Sequence, residues 1–235
     1  MTNVLEVKNL KKVIDGEKIL NNISFHVPKG KLCAFIGHNG AGKTTTIKSI
    51  LSLYRYNSGD IFINGISSKK IKSHRIIGYV PEKENFPKIR ARTFLKMMAS
   101  LYGVPKKIID SRIKYYECIF SLKKRLHIDL NRMSSGQKKK IMIIQSLLHD
   151  PQLLIMDEPT ENLDPDTRDV FYRLVKKLKK EGKTIFISTH NLDEIQNFAD
   201  WIVIIVQGKI KKVSSYTPDQ DLHRIYNYYK IKIAV

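Results

Sequence analysis

A glycine-rich loop around position 40 has the residue types and spacing that suit phosphate binding. It runs Gly37-His38-Asn39-Gly40-Ala41-Gly42-Lys43-Thr44 and fits the pattern G-x-x-x-x-G-K-[ST]. In such a loop the backbone N–H groups turn inward and cradle the phosphates of a nucleotide. Lys43 would reach the β- and γ-phosphates, the Thr44 hydroxyl would bind Mg²⁺, and a helix continuing from Thr45 would point its positive end at the same anions. We therefore predict a nucleoside triphosphate site at residues 37–45.

The segments on either side of the loop support this prediction. Residues 31–36 form a short apolar run typical of a buried strand, and residues 45–53 have the apolar spacing of a helix. Because strand, loop and helix follow one another in this order, a glycine loop arising by chance is the much weaker alternative.

Two acidic residues, Asp157 and Glu158, end a second apolar run. An apolar strand delivers such carboxylates to the edge of the sheet, beside the phosphate loop. Asp157 would hold Mg²⁺ through its water shell, and Glu158 would polarise a water for attack on the γ-phosphate. The alternative is a strand that ends in a surface turn at Glu158-Pro159, and the glycine loop earlier in the chain makes it the lesser one.

A third motif directly precedes a run of helical spacing with Ile141 and Ile144 on one side. Its sequence is Ser134-Ser135-Gly136-Gln137. A serine followed by a glycine at a helix start is first of all an N-cap, which explains the serine without any further function. The same arrangement also describes a second helix N-terminus able to bind an anion. Both interpretations stay open at this point.

Beyond these motifs, strand-like and helical runs alternate along the chain. The strand-like runs lie at residues 5–7, 23–27, 61–65, 152–156, 184–188 and 201–206. Residues 93–148 instead show helical spacing with many charges. We predict an α/β fold with a P-loop NTPase core and a mostly parallel sheet, an N-terminal antiparallel β subdomain and an inserted all-helical subdomain at about residues 90–148. The chain would be one domain over residues 1–235, with a tail of uncertain role at residues 214–235.

Composition limits the class of protein. With 235 residues, of which 42% are hydrophobic, the chain can bury a substantial core. The longest aliphatic run, residues 202–206, is far shorter than the roughly 20 residues that span a bilayer. We expect a protein made in the cytoplasm without a secretory leader. Cys33 and Cys118 form no C-x-x-C pair, so we infer neither a disulfide nor a cysteine-bound metal.

The formal net charge of +20 allows two interpretations. Such a charge favours nucleic acid or an anionic membrane surface. Lysines dominate it, however, and at residues 170–180 they lie opposite an apolar stripe of helical spacing, as on a solvated helix face. We favour solvated lysines, and keep surface electrostatics that assist docking as the alternative.

Five ordered motifs together resemble those of ABC-type ATPase domains. They are the glycine loop with Lys43, Ser134-x-Gly136-Gln137, Asp157-Glu158-Pro159-Thr160, Asn162-Leu163-Asp164 and Ser188-Thr189-His190. The resemblance extends from residue 5 to about residue 213. Leu147-Leu148-His149-Asp150-Pro151 and Gly78-Tyr79-Val80-Pro81-Glu82 look most like ATP-binding subunits paired with exporter permeases of the ABC-2 kind.

The resemblance implies ATP and Mg²⁺ as cofactors and a site shared between two such domains that face each other head to tail. Ser134 and Gly136, with Gln137 beside them, would contact the γ-phosphate bound by the partner's loop. Asp164 would communicate across the interface, and His190 would hydrogen-bond the γ-phosphate and fix the attacking water with Glu158. The residues expected to carry catalysis are thus Lys43, Glu82, Glu158 and His190, and those expected to hold Mg²⁺ are Thr44, Glu82 and Asp157.

Two positions depart from the family pattern. Glu82 stands where most relatives have glutamine, and because a carboxylate there can still engage Mg²⁺ or water, we expect altered tuning rather than inactivity. Ile14 aligns with the aromatic residue that stacks on adenine. An isoleucine gives apolar contact without stacking, so we expect weak discrimination of the base.

The resemblance implies an ATP-hydrolysing subunit that powers a separate membrane permease, most similar to exporters, at the cytoplasmic face of the membrane. The permease would dock in the groove between helical lobe and core near residues 82–94, and a second ATPase subunit, identical or different, would complete the site. The main alternative is a non-transport ATPase of the same family that acts on nucleic acid or ribosomes. We expect no nucleic acid partner, because such relatives carry long insertions or two ATPase halves. A third alternative is a catalytically silent regulatory subunit, suggested by Ile14 and Glu82.

Overall fold

The computed structural model describes residues 2–83, 86–123 and 125–231. In chain order its elements are β1 (Asn3–Ile14), β2 (Glu17–Pro28), β3 (Leu32–Ile36), α1 (Lys43–Ile50), β4 (Ser58–Ile63), β5 (Ile66–Ser67), α2 (Ile71–His74), β6 (Ile77–Val80), α3 (Ala91–Leu101), α4 (Lys106–Ile119), α5 (Ser135–Leu147), β7 (Leu153–Asp157), α6 (Pro165–Lys180), β8 (Thr184–Thr189), α7 (Leu192–Ile195), β9 (Trp201–Val206), β10 (Lys209–Ser215) and α8 (Leu222–Ile231). A short 3₁₀ helix, Leu130–Arg132, precedes α5. Within the described ranges none of the helices is both long and apolar enough to cross a membrane.

The N-terminal part of the chain forms an antiparallel sheet with the strand order β2-β1-β4-β5. Asp15 and Gly16 join β1 to β2, and both have positive φ angles, 48° and 82°. This is the backbone geometry of the two-residue turns that match the twist of a hairpin. The long hairpin brings residues near its turn towards the second sheet, because Asn21 donates a backbone hydrogen bond to the Gly208 carbonyl at 2.8 Å.

The second sheet has six strands in the order β10-β9-β3-β8-β7-β6. All neighbouring strands in it are parallel except β9 and β10. Every residue of β3, β7 and β8 is buried, as expected for parallel strands covered on both faces. The fold class predicted from the sequence is confirmed, and the boundaries of the helical subdomain stay a prediction.

The central strands divide their side chains between two cores. Leu32, Ala34 and Ile36 of β3 face a helix-side core, which includes residues of α3, α4 and α5. Phe35 faces the hairpin-side core, where its ring stacks on those of Phe25 and Phe186 at centroid distances of 5.6 and 5.2 Å. The parallel sheet therefore separates the two cores and packs against both of them, one on each face.

Two elements differ from those predicted. The helix after the glycine loop ends at Ile50, because Ser52 adopts a positive φ of 56° that interrupts it. The run at residues 61–65, interpreted as a strand closing on a turn, does so, since β4 ends at Ile63 and Gly65 lies in the turn before β5. Strand β10 was not predicted, since the lysines of residues 209–215 obscure its alternation.

The C-terminal segment forms helix α8 as far as residue 231, and residues 232–235 lie outside the described part. Ile225, Tyr226 and Tyr229 pack against the helix-side core, whereas Tyr228 is 53% exposed. Packing on the core, the favoured expectation for this segment, is thus what its described residues show.

The two cysteines are free thiols in opposite surroundings. Cys33 is buried within β3, and burial raises the pKa of its thiol well above the ordinary value. Cys118 near the end of α4 is exposed.

Candidate active site

The glycine loop connects the end of β3 to the first turn of α1. Gly42 has a φ of +105°, and an added Cβ there would lie 2.8 Å from Leu20 Cδ2. An added Cβ at Gly37 would lie 2.6 Å from the Ile205 carbonyl oxygen. The loop therefore packs against β2 and β9 so closely that only glycine fits at these two positions.

The Lys43 side chain is curled back over the loop and is only 6% exposed. Its Nζ donates to the carbonyl oxygens of Gly37 at 2.7 Å and His38 at 3.3 Å. The ammonium thus lies inside the ring of backbone groups, where a phosphate cradled by the loop would meet it.

An open cavity of about 470 Å³ lies over the loop. Its predicted lining residues are His38, Asn39, Gly40, Gly42, Lys43, Thr44, Thr45, Glu82, Glu158 and His190. Ile19 and Glu161 also line it and were not predicted. The predicted residues Gly37 and Ala41 do not line the cavity and are buried, Ala41 being 1% exposed. The cavity brings together residues that lie as much as 171 positions apart, from Ile19 to His190.

Glu158 lies at the centre of the charged groups in this cavity. Its Oε1 is 3.3 Å from Lys43 Nζ and 3.0 Å from His190 Nδ1. The backbone of Glu158 has a φ of 46°, a left-handed conformation that is costly for a non-glycine residue and concentrates at functional sites. This bend turns the carboxylate out of β7 and towards the loop.

Asp157 lies deeper than Glu158, at the last position of β7, and is fully buried. The Ser188 hydroxyl donates to its Oδ1, while Oδ2 has no hydrogen-bond partner among the described residues. Burial raises the pKa of Asp157 above the ordinary value of 3.8, and the Ser188 hydrogen bond opposes that rise. A buried, unpartnered carboxylate oxygen is what a hard cation would bind.

The oxygen atoms around Asp157 fit Mg²⁺. The Thr44 hydroxyl lies 3.3 Å from Glu82 Oε2 and donates to it. No cluster of three or more His, Cys, Asp or Glu side chains able to hold a metal is present in residues 2–83, 86–123 and 125–231. Mg²⁺ is commonly held by one or two carboxylates while waters and substrate phosphates complete its octahedron, and Asp157 and Glu82 supply such carboxylates.

Glu82 is positioned through its backbone by a residue that the sequence interpretation treated as solvated. Lys139 on α5 is 0% exposed, and its Nζ donates to the carbonyl oxygens of Pro81 at 3.0 Å and Glu82 at 2.7 Å. Within the run of lysines at 138–140, the middle one is buried because its direction on α5 points at the chain leaving β6. A helical wheel of α5 anchored on Ile141 and Ile144 cannot show this by itself, since the acceptors are backbone groups distant in sequence.

Ser134 caps α5, as its simpler interpretation predicted. Its hydroxyl accepts from the Gln137 N–H, and the Ser134 N–H donates to Gln137 Oε1, both at 3.3 Å. This is a complete capping box. Ser134, Gly136 and Gln137 do not line the cavity of their own chain, so the contact predicted for them with a partner's ATP stays a prediction.

Asp164 and Ile14 also lie outside the cavity lining. Asp164 caps α6, accepting from the Thr167 N–H at 2.9 Å and from the Thr167 hydroxyl at 2.8 Å. Ile14 is the last residue of β1 and pairs with Glu17 across the hairpin turn. Ile19, five positions after Ile14 and on β2 of the same hairpin, is the isoleucine that reaches the cavity. Alignment of a single apolar position could not distinguish the two.

Known proteins share both the sequence and the fold of this chain. The model of the ABC transporter family matches residues 20–161. An ABC transporter ATP-binding protein of Mycoplasma pneumoniae is 40% identical over 215 residues, covering 89% of this chain and 66% of that protein. A lantibiotic transport ATP-binding protein of Streptococcus pyogenes is 33% identical over 224 residues, covering 95% and 96% of the two.

Among solved structures, the ATP-binding subunit of an ABC transporter superposes with a TM-score of 0.86 at 31% identity. The superposition covers 97% of this chain and 93% of the other. Matched sequence and shared fold therefore place the chain in the ABC transporter family, as an ATP-binding subunit.

Proposed function

We propose that this subunit hydrolyses Mg²⁺-bound ATP and that hydrolysis drives a separate membrane permease in the direction of export. The observation that carries the hydrolytic part is the contact of Glu158 Oε1 with both Lys43 Nζ and His190 Nδ1 at the mouth of the cavity. One carboxylate, one ammonium and one imidazole then meet where the γ-phosphate of a nucleotide held by the loop would end.

Each residue has a role that follows from its position. Lys43 and the N–H groups of the loop bind the phosphates, and Lys43 exchanges its contacts with loop carbonyls for phosphate oxygens. Glu158 accepts a proton from the attacking water, and His190 holds that water or the γ-phosphate from the opposite side. Thr44, Glu82 and Asp157 would hold Mg²⁺, which supplies charge neutralisation of the phosphates when bound.

Replacing Glu158 by glutamine tests the hydrolytic assignment. Glu158→Gln removes the base and keeps the shape, so we expect ATP to bind with affinity close to wild type while turnover falls by about 10²–10⁴-fold. Glu161→Gln is the matched control, because Glu161 lines the same cavity but makes no contact with Lys43 or His190 among those found in the described structure. Unchanged turnover in Glu158→Gln would overturn the proposed base.

We propose that hydrolysis requires a second ATPase subunit. Ser134 is exposed and caps a helix N-terminus, yet it lies outside the cavity of its own chain. A helix N-terminus stabilises anions, so the same surface suits the phosphates bound by another subunit. If that subunit is a second copy, mixing Lys43→Ala protein with Ser134→Phe protein restores one intact site per dimer and part of the turnover. No restoration from two folded variants would contradict a dimer of identical subunits.

We propose that the permease docks beside the helical lobe, where our prediction placed it at residues 82–94. Phe86 and Phe94 of that segment pack edge to face, and Glu84 and Asn85 lie outside the described residues. Helix α3 begins at Ala91 within that segment and ends at a groove of about 520 Å³ beside α2, where Ile71 is 85% and Leu101 is 75% exposed. These apolar side chains extend the surface that a permease loop would cover and hold the subunit at the cytoplasmic face of the membrane.

The docking proposal is tested by Leu101→Glu. We expect this change to abolish co-purification with the permease while leaving the ATPase activity of the isolated subunit unchanged, because Leu101 is remote from the cavity lining. Lys106→Glu, a charge change of greater size at the nearby start of α4, is the control. Normal co-purification of Leu101→Glu would contradict docking in this groove.

A further inference from the structure

We infer that Glu194 is a positioning residue for hydrolysis, which fixes the two chain segments carrying Glu158 and His190 relative to each other. The inference rests on the proposed function, because it assigns those two residues to the hydrolytic step. Glu194 itself does not line the cavity.

The Glu194 carboxylate accepts four side-chain hydrogen bonds from three separate parts of the chain. Oε2 accepts from the Thr160 hydroxyl at 2.7 Å and from the Tyr172 hydroxyl at 3.0 Å. Oε1 accepts from Arg168 Nη1 at 2.8 Å and from Asn191 Nδ2 at 2.9 Å. Each oxygen therefore has two donors.

Two of these donors are next to the hydrolytic residues. Thr160 follows Glu158 by two positions, in the segment that leaves β7. Asn191 directly follows His190 in the segment that leaves β8. The contact between His190 Nδ1 and Glu158 Oε1 at 3.0 Å spans these same two segments. Glu194 joins them a second time, two residues after Glu158 in one segment and one residue after His190 in the other.

The other two donors anchor this junction to α6. Arg168 and Tyr172 lie one turn apart on that helix, which packs against the helix-side core. Burial, with the Glu194 charge second, raises the pKa of Tyr172 well above the ordinary value, so the phenol stays a hydrogen-bond donor. Hydrogen bonds to an ionised carboxylate are shorter and stronger than neutral ones. The junction is thus tied to a rigid element rather than left on two loops.

The adjacent acidic residue shows that this arrangement is specific to Glu194. Asp193 has a side chain that is 76% exposed and contacts His223 on the surface, 2.8 Å from His223 Nε2. Helix α7 is capped by the Asn191 side chain, which accepts from the Glu194 backbone N–H at 3.4 Å. The cap uses only the backbone of position 194, so the carboxylate is available for the bridge.

The pair Thr160→Val and Thr160→Ser tests the bridge with the least disturbance. Valine keeps the shape and loses the hydroxyl, whereas serine keeps the hydroxyl. We expect Thr160→Val to lower kcat by about 10-fold or more with KM for ATP within about 3-fold of wild type, since misplacement of reacting groups acts on the chemical step. Thr160→Ser should restore kcat. Equal kcat in the two variants, or a loss in KM alone, would overturn the inference.

Glu194→Gln tests the carboxylate itself, with Asp193→Asn as the matched control. We expect a larger loss of kcat in Glu194→Gln than in Thr160→Val, and none in Asp193→Asn. Since Glu194 acts by placing Glu158 and His190 relative to each other, Glu194→Gln should lower kcat by a smaller factor in the His190→Ala background than in the wild type. If the kcat losses of the two single changes multiply in full in the double variant, the positioning role of Glu194 is contradicted.

These outcomes separate the inference from the proposed function. If Glu158→Gln keeps wild-type turnover, the proposed function itself fails. If Glu158→Gln loses turnover while Thr160→Val and Glu194→Gln both keep it, the proposed function stands and only the role of Glu194 is wrong.

Discussion

Lys139 Nζ donates a 2.7 Å hydrogen bond to the backbone carbonyl of Glu82. The lysine is fully buried on α5, and Glu82 lines the cavity above the glycine loop. The N-terminus of α5 carries Ser134. Lys139 therefore joins α5 directly to Glu82. Helix α5 would face a partner's ATP, whereas Glu82 faces this chain's own site.

Lys139→Met should destabilise the protein and weaken its response to Mg²⁺. The carbonyls of Pro81 and Glu82 would lose their donor, at a cost of about 1–3 kcal/mol in the free energy of unfolding. Glu82 would lose its fixed position, so more Mg²⁺ should be needed for half-maximal ATP binding. Denaturant unfolding and Mg²⁺ titration measure the two effects. Lys138→Met, which removes the neighbouring charge, should show neither.

Ser188→Ala should loosen both acidic residues at once. The Ser188 hydroxyl donates to Asp157 Oδ1 and accepts from the Glu158 N–H at 3.2 Å. We expect a loss of about 1–3 kcal/mol in unfolding free energy and weaker ATP binding in the presence of Mg²⁺. Ser146→Ala is the control, because Ser146 is also fully buried but its hydroxyl bonds only within α5. Equal effects of the two changes would show that Ser188 has no special link to the site.

Gly42→Ala should be much more damaging than Gly40→Ala. Both glycines have positive φ angles, 105° and 81°, but an added Cβ at Gly42 meets Leu20 whereas none of the described atoms lies within 4 Å of one at Gly40. We expect Gly40→Ala to cost about 1–2 kcal/mol of backbone strain and Gly42→Ala about 2–5 kcal/mol, because overpacking adds to the strain. Thermal unfolding measures the difference, and a smaller loss at Gly42 would contradict the packing described for the loop.

His149 should make stability fall at mildly acidic pH. Its ring stacks on Tyr102 at a centroid distance of 3.8 Å, and burial lowers its pKa below the ordinary 6.5. The unfolded chain therefore binds a proton before the folded one does, so stability decreases as pH falls from 6.5 towards the lowered pKa and changes no further below it. The pKa of Asp150 is lowered mainly by its hydrogen bond with Lys183, so this residue would change the stability only below pH 3.8, the ordinary pKa of an aspartate.

Unfolding free energies at pH 7.5 and 5.5 measure this effect, and His149→Gln is the comparison variant. Glutamine keeps a donor for the Ile77 carbonyl, which His149 Nε2 contacts at 2.9 Å, but it does not titrate. The wild type should lose more stability between these two pH values than His149→Gln does. An equal loss would show that His149 does not cause the acid sensitivity.

Local sequence patterns were sufficient to predict the sheet core and the position of the phosphate loop. Runs such as residues 184–188 and 201–206 are apolar because they are buried on both faces, so composition alone reveals them. The glycine loop was recognisable because its backbone conformation and close packing require glycine, as the positive φ of Gly42 and its contact with Leu20 show. Both signals are local, and neither depends on which distant segment lies next to them.

The residues that the sequence did not reveal act through partners distant in the chain. Lys139 lies in a run of three lysines, and only the approach of residues 81–82 makes its burial favourable. Ile19 reaches the cavity because the β1–β2 hairpin folds over β9 and β10. Glu194 in isolation resembles any first-turn acid of a helix. Spacing cannot distinguish such residues, because their function is set by tertiary contacts.

The unequal surroundings of the two thiols make the chain suitable for selective labelling. Maleimides react with accessible thiolates, so Cys118 on the helical lobe would take a fluorophore while Cys33 inside β3 stays unmodified. A dye attached to the native protein would then report movement of α4 when nucleotide is added, with no engineered cysteine and no change to the phosphate site.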